Sequence, residues 1–197
     1  MASQLPSRVA SPLLPATLGF DSVVKQQLPT FACYTGARYV VVERERLDDV
    51  GADLFVRPRG VTDAAPRCDT DSLPGDIVFR TGAAAAHHPD AQHFMGLKGD
   101  LLIAWDGTGG ASDLYIYDLN KRAQVFYLDD VDDVNLEWRS ATTVAIWVTK
   151  GSEKAAVAAG CPDTLPGNPA QMDSLMSLDL QTLVLRPTGR SRCGVGQ

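Results

Sequence analysis

Basic stretches, close cysteine pairs, dispersed histidines and long apolar runs are all missing from this chain of 197 residues, and each absence excludes a class of function. Lys and Arg number 18 against 24 Asp and Glu, a formal net charge of −6, with no cationic stripe to neutralise nucleic-acid phosphates. Partners are therefore expected among proteins and not among nucleic acids. No apolar run approaches the roughly 20 residues that cross a bilayer as a helix, so no transmembrane segment is expected. There is no GxSxG elbow, no GxxxxGK[ST] phosphate loop and no complete dinucleotide fingerprint; Gly107-Thr108-Gly109-Gly110 lacks the following helix that phosphate binding needs. No catalytic set is expected.

What the chain does carry is β-sheet signal. Leu101, Leu102 and Ile103 lead into Trp105, and Asp106-Gly107-Thr108-Gly109-Gly110 then tolerates the positive φ of a reversal. Leu114, Ile116 and Asp118 alternate with Tyr115, Tyr117 and Leu119, a period of two in branched and aromatic residues. After the polar Asn120-Lys121-Arg122, Val125, Phe126 and Tyr127 resume the apolar pattern. Gly99–Leu128 thus predicts three consecutive antiparallel strands.

Further strands are expected over Arg38–Glu43, Asp53–Arg57, Asp76–Arg80, Val134–Trp138 and Thr142–Thr149, with a last hairpin over Ser177–Arg186 and a basic tail from Arg186 to Arg192. Glu153–Ala159 is the helix candidate, with Ser152 as its cap and Gly160-Cys161-Pro162 as its stop. Ala83–Ala86 and the Pro- and Gly-rich Pro58–Gly75 and Thr164–Gln171 read as loops. Pro6, Pro12, Pro15 and Pro29 break any long helix in residues 1–30, which are expected as an extended arm or tether. Residues 31–197 are then expected as a single all-β domain, an antiparallel meander of small propeller-like or sandwich form with one short helix.

Cys33, Cys68, Cys161 and Cys193 are too widely spaced for a metal site with a close ligand pair, and point to disulfides. Of the connectivities open to them, Cys33 with Cys68 and Cys161 with Cys193 is favoured because each pair staples one end of a strand-rich region; the others stay open. Loops of that size predict about 3–4 kcal/mol of stabilisation per bond in the loop-entropy model. An oxidising compartment, periplasmic or secreted, follows. Arg190 and Arg192 would favour a thiolate at Cys193 were it free.

His87, His88 and His93 share one segment and are the metal-ligand candidates; Pro89 prevents a helical two-ligand face, so a polar loop is expected and no metal. Asp129, Asp130, Asp132, Asp133 and Glu137 form an acidic cluster with carboxylates of the kind calcium takes, as do Asp106 and Asp113 around their glycines. Counted from Asp130, the EF-hand positions six and twelve hold Asn135 and Ala141 in place of Gly and Glu. Turn and edge chemistry account for these acids without an ion, so no cofactor is expected. Asp106 with Asp113 or Glu137 is also the carboxylate pair for an alternative, a carbohydrate-active hydrolase.

Two short resemblances add to these readings. Ser177-Leu178-Asp179-Leu180-Gln181-Thr182-Leu183-Val184-Leu185 repeats the layout of Tyr117-Asp118-Leu119-Asn120-Lys121-Arg122-Ala123-Gln124-Val125, and both resemble the Asp-Leu turns of β-propeller blades. Thr35-Gly36-Ala37-Arg38-Tyr39 resembles the Ser-Gly-x-x-Tyr segment of bacterial periplasmic lysozyme inhibitors, with Thr35 in the serine position. That resemblance implies Thr35 and Arg38 as polar contacts to a basic hydrolase. The expected function is an exported, non-catalytic binding or inhibitor protein acting in the cell envelope, with Thr35, Arg38, Asp106 and Asp113 as candidate binding residues. The alternatives are the hydrolase and a structural envelope component.

Overall fold

The computed structural model describes residues 19–46, 51–60, 68, 73–79, 92–107, 112–132, 136–151, 153–161 and 170–194. Strand makes up 63% of these residues and every pairing is antiparallel, which settles the class as all-β. In chain order the elements are β1 (Val24–Gln27), β2 (Phe31–Thr35), β3 (Tyr39–Glu45), β4 (Ala52–Pro58), β5 (Ile77–Phe79), β6 (Gln92–Lys98) and β7 (Leu101–Asp106). They continue with β8 (Ser112–Asp118), β9 (Ala123–Val131), β10 (Glu137–Trp138), β11 (Thr143–Thr149), α1 (Glu153–Ala158), β12 (Gln171–Asp179) and β13 (Val184–Gly194).

The strands form a five-stranded sheet, β1-β2-β3-β4-β5, and an eight-stranded one in the order β13-β12-β11-β9-β8-β7-β6, with β10 paired to β11. Apart from β10, which lies off the path so that β9 pairs with β11, strands neighbour one another in chain order, as in a meander. The larger sheet curls into a half-barrel. Of the two forms predicted, the facing sheets match the sandwich.

Period-two alternation explains how the sheets meet. Tyr39 and Val41, Leu54 and Val56, and Ile77 and Phe79 project from the small sheet onto Leu102, Ala104, Tyr115 and Tyr117 of the larger one. The intervening residues Ile103, Leu114 and Ile116 bury on the other face with Val144, Ile146, Val148 and Leu178, inside the curl. Strands β7 and β8 are therefore buried on both faces. The outer face of the small sheet carries Val40, Val42, Phe55 and Cys33, and the Cys33–Cys68 disulfide holds Cys68 against it. The second disulfide, Cys161–Cys193, ties the end of α1 to β13, while Ala156 of α1 packs with Ala170 and Met172. Both favoured pairings are thus present, and they place the fold in an oxidising compartment.

The repeated Asp-Leu layout is a repeated turn. Asp118 Oδ1 accepts hydrogen bonds from the backbone N–H groups of Asn120 and Lys121, and Asp179 Oδ1 accepts them from Gln181 and Thr182. Arg122 and Leu183, four residues after each aspartate, both take positive φ, at 53° and 55°. Leu119 and Leu180 are buried in both copies, and their N–H groups donate to the carbonyls of Asp100 and Thr142.

Three strands lie where the sequence pattern predicts none. β1 has every residue exposed and so has no apolar face to read, although it falls inside the expected N-terminal arm. β2 is short, and its two buried residues, Ala32 and Cys33, are small neighbours on opposite faces. In β6 a bulge between Phe94 and Gly96 breaks the period. Arg186–Arg192, expected as a tail, is the middle of β13. Of Val134–Trp138, the strand is Glu137–Trp138; residues 133–135 lie outside the described residues, as do Ser152 and Ala83–Ala86.

Gly96 serves a close approach. A Cβ built there would lie 2.3 Å from the ring of Phe20, which sits on β6 and meets Trp138 edge-on at 5.3 Å. Asp21 N–H donates to Leu97 O, Gly99 N–H to the Asp21 carboxylate, and Lys98 Nζ to Gly19 O. Residues 19–21 thereby strap the edge of β6 and bridge it to β10. Gly96→Ala is expected to destabilise the protein by about 1–3 kcal/mol through overpacking. Combined with Phe20→Ala it should cost much less than the sum of the two single changes. Denaturant unfolding of the two singles and the double measures this, and strict additivity would contradict the contact.

Candidate functional site

The β2–β3 hairpin carries a concavity at each end. At its tip, Gly36 N–H donates to Tyr39 O and closes the turn. Arg59, just past β4, lies beside it: its N–H donates to Arg38 O and its Nη1 to Gly36 O at 2.7 Å. Ala37, Arg38, Tyr39, Pro58, Arg59 and Gly60 line an open cleft of about 500 Å³ there. Arg38 is 59% exposed and pairs with Asp100 at 2.7 Å, an oxygen that also accepts from Tyr39 OH. Burial pushes the Asp100 carboxyl up, but the hydrogen bonds from Tyr39 and Arg38 outweigh it and hold it below the usual range. Arg59 Nε is buried and has no hydrogen-bond partner among the described residues. Of the residues predicted from sequence, Thr35 ends β2 next to this tip and Arg38 projects from it.

At the other end, Lys25 and Gln27 of β1, Phe31, Ala32 and Tyr34 of β2, Glu43 and Glu45 of β3, and His93 of β6 line a pocket of about 150 Å³. Glu43 is its centre. Its Oε1 receives His93 Nδ1 at 3.0 Å and Phe94 N–H at 3.3 Å, while its Oε2 accepts from Tyr34 OH at 2.9 Å. Burial pushes the Glu43 carboxyl up, yet these three donors hold it below its ordinary value. The same bond raises the pKa of His93 against the opposing effect of burial. The His93 ring leans on Trp105 at 5.1 Å, and Lys25 Nζ lies 5.4 Å from the Tyr34 ring centre.

His93 is thus a strand residue, correcting the loop expected for it; His87 and His88 lie outside the described residues. Lys25, Tyr34, Glu43 and Arg59 were not singled out from sequence. Glu43 and His93 are 50 residues apart, a separation no local pattern spans. The local signal for Glu43 was a carboxylate closing the apolar run Val40-Val41-Val42 on the inward face.

Asp106 and Asp113 are register partners at the end of β7 and β8 where the connecting loop joins them. Asp106 is buried, and Asp113 accepts from Tyr127 OH at 2.8 Å and Tyr115 OH at 3.5 Å. The structure therefore brings this pair together. Glu137 is elsewhere, on β10, bonded to Arg139 and to Trp147 Nε1. Within the acidic cluster, Asp132 pairs with Arg192, whose Nε also donates to the fully buried Asp173 at 3.1 Å. Burial, then the neighbouring Asp132, push the Asp173 carboxyl up. This knot joins β9, β12 and β13 and is a fastening of the sheet. Among the described residues, no group of three or more His, Cys, Asp or Glu is arranged to hold a metal ion.

Glu43, held below 4.5, contributes stability above that pH and loses it as pH falls through its folded value; His93, raised above 6.5, contributes below that pH and loses it as pH rises through its folded value. The pair therefore stabilises most between about pH 4.5 and 6.5. Glu43→Gln should lower Tm by about 2–4 °C in that window, since a partly exposed pair is worth about 1 kcal/mol. The gap should narrow above about pH 8. Thermal melts of both proteins across pH check this, and a gap independent of pH would contradict it.

Comparison of the chain with protein-family models, with curated proteins and with solved structures finds no match, and the geometry above carries the functional reading.

Proposed function

We propose that this is an exported, non-catalytic protein-binding module of the inhibitor or immunity type, periplasmic or secreted, docking through the β2–β3 tip. The supporting observation is the cleft at that tip, where Arg38 and Arg59 stand together on a chain of net charge −6. A guanidinium is the side chain suited to gripping a partner's carboxylates in a fixed geometry. Arg59 braces the turn from behind through Gly36 O and Arg38 O, so the tip meets a partner already shaped. The remaining acidic surface steers a basic partner toward it. A basic hydrolase whose own recognition cleft carries carboxylates fits both features, and Thr35 and Arg38 are its expected polar contacts.

The two disulfides suit work outside the reducing cytosol, where the fold has to persist without repair. Biolayer interferometry against a panel of basic secreted hydrolases tests the proposal. At least one complex should form at micromolar concentration or below. Arg38→Ala should weaken it at least about tenfold while leaving the melting temperature essentially unchanged, because Arg38 is exposed and its pair with Asp100 is screened by solvent. No complex across the panel, or a complex indifferent to Arg38→Ala, would overturn it.

A further inference from the structure

We propose that the Lys25–Tyr34–Glu43–His93 pocket is a binding site for a small aliphatic monocarboxylate, separate from the hairpin tip and independent of what docks there. The choice of ligand follows from which hydrogen-bonding groups are already used. Both oxygens of Glu43 are taken, by His93, Phe94 N–H and Tyr34 OH, so its charge is spent inside the protein. Gln27 is likewise occupied, its amide donating to the carbonyls of Leu28 and Phe31.

What remains are donors. His93 uses Nδ1 for Glu43, and its second ring nitrogen has no partner among the described residues. The Lys25 ammonium, held over the Tyr34 ring, has no acid partner among them. A carboxylate placed between the two would accept from both, in a charge-assisted geometry.

The remaining lining selects within that class. Ala32 and the ring of Tyr34 supply apolar lining, which suits a short hydrocarbon tail. A volume of about 150 Å³ suits a ligand of a few non-hydrogen atoms. Glu45 is exposed at the end of β3 and repels a second negative charge, so a monoanion is preferred to a dianion.

The site is also tuned to pH. The groups facing His93 are Glu43 and Glu45 from β3, Lys25 from β1, Tyr34 from β2 and Asp106 from β7. The acids among them outnumber Lys25 and favour the imidazolium, which is the form that donates from both nitrogens. Carboxylate affinity should therefore fall as pH rises through the His93 titration.

Titration of the full chain with sodium butyrate, at ionic strength held constant with sodium chloride, tests this through the ring resonances of His93, assigned with His93→Gln. A saturable shift is expected with a dissociation constant on the order of millimolar. Affinity should be lower for succinate and lower at pH 8 than at pH 5.5. Lys25→Met lies on an exposed strand and leaves the Glu43 bonds intact; it should weaken butyrate binding about fivefold. His93→Gln keeps a donor to Glu43, so a folded variant that no longer responds to butyrate, followed through the Tyr34 ring, supports the site. A His93 shift with butyrate no larger than with chloride would overturn the proposal, and so would equal affinity in Lys25→Met.

Discussion

Everything else in this molecule is arranged around the burial of β7 and β8 on both faces. Leu102, Ala104, Tyr115 and Tyr117 are covered by the small sheet, and Ile103, Leu114 and Ile116 by the curl of the larger one. A strand with two buried faces cannot slip by one residue without exchanging two well-packed sets of side chains, so the register of this hairpin is strongly specified. The small sheet is held where these residues require it. That in turn sets the β2–β3 hairpin across β6, with the arginine tip at one end and the Glu43 pocket at the other.

The distribution of charge gives the two ends different characters. Half of the described arginines are committed to named acids in this way: Arg44 and Arg46 to Asp53, Arg57 to Asp76, Arg139 to Glu137, and Arg192 to Asp132 and Asp173. Arg57 with Asp76 and Arg192 with Asp173 are buried or nearly so at their acid, and removing either cation would leave a carboxylate stranded away from water. At the tip, by contrast, Arg59 gives its Nη1 to a backbone carbonyl and Arg38 shares an aspartate with a tyrosine. Positive charge is therefore on offer at the hairpin tip of an acidic protein.

The fold class, the β7–β8–β9 meander, the helix and both disulfides were legible in the sequence because each is written in local terms. Leu114 to Leu119 alternate in a strand, and Asp118 and Asp179 lie ahead of polar residues that their carboxylates can cap. β1, β2 and β6 were not legible, because β1 buries nothing, β2 buries only the small adjacent residues Ala32 and Cys33, and Gly96 interrupts β6 to admit Phe20. The candidate sites were half legible for the same reason. Arg38 is part of a local turn, and Asp106 and Asp113 flank one loop, whereas Arg59 and the Glu43–His93 pair acquire meaning only when distant strands come together.

Native-state amide hydrogen exchange measures the central constraint directly. If two-sided burial of β7 and β8 organises the fold, the amides of Leu102–Ala104 and Leu114–Tyr117 should be the slowest in the protein and should exchange only through global unfolding, while those of the exposed β1 exchange orders of magnitude faster. Slowest exchange in the small sheet or in β12 and β13, with β7 and β8 opening locally, would contradict the account.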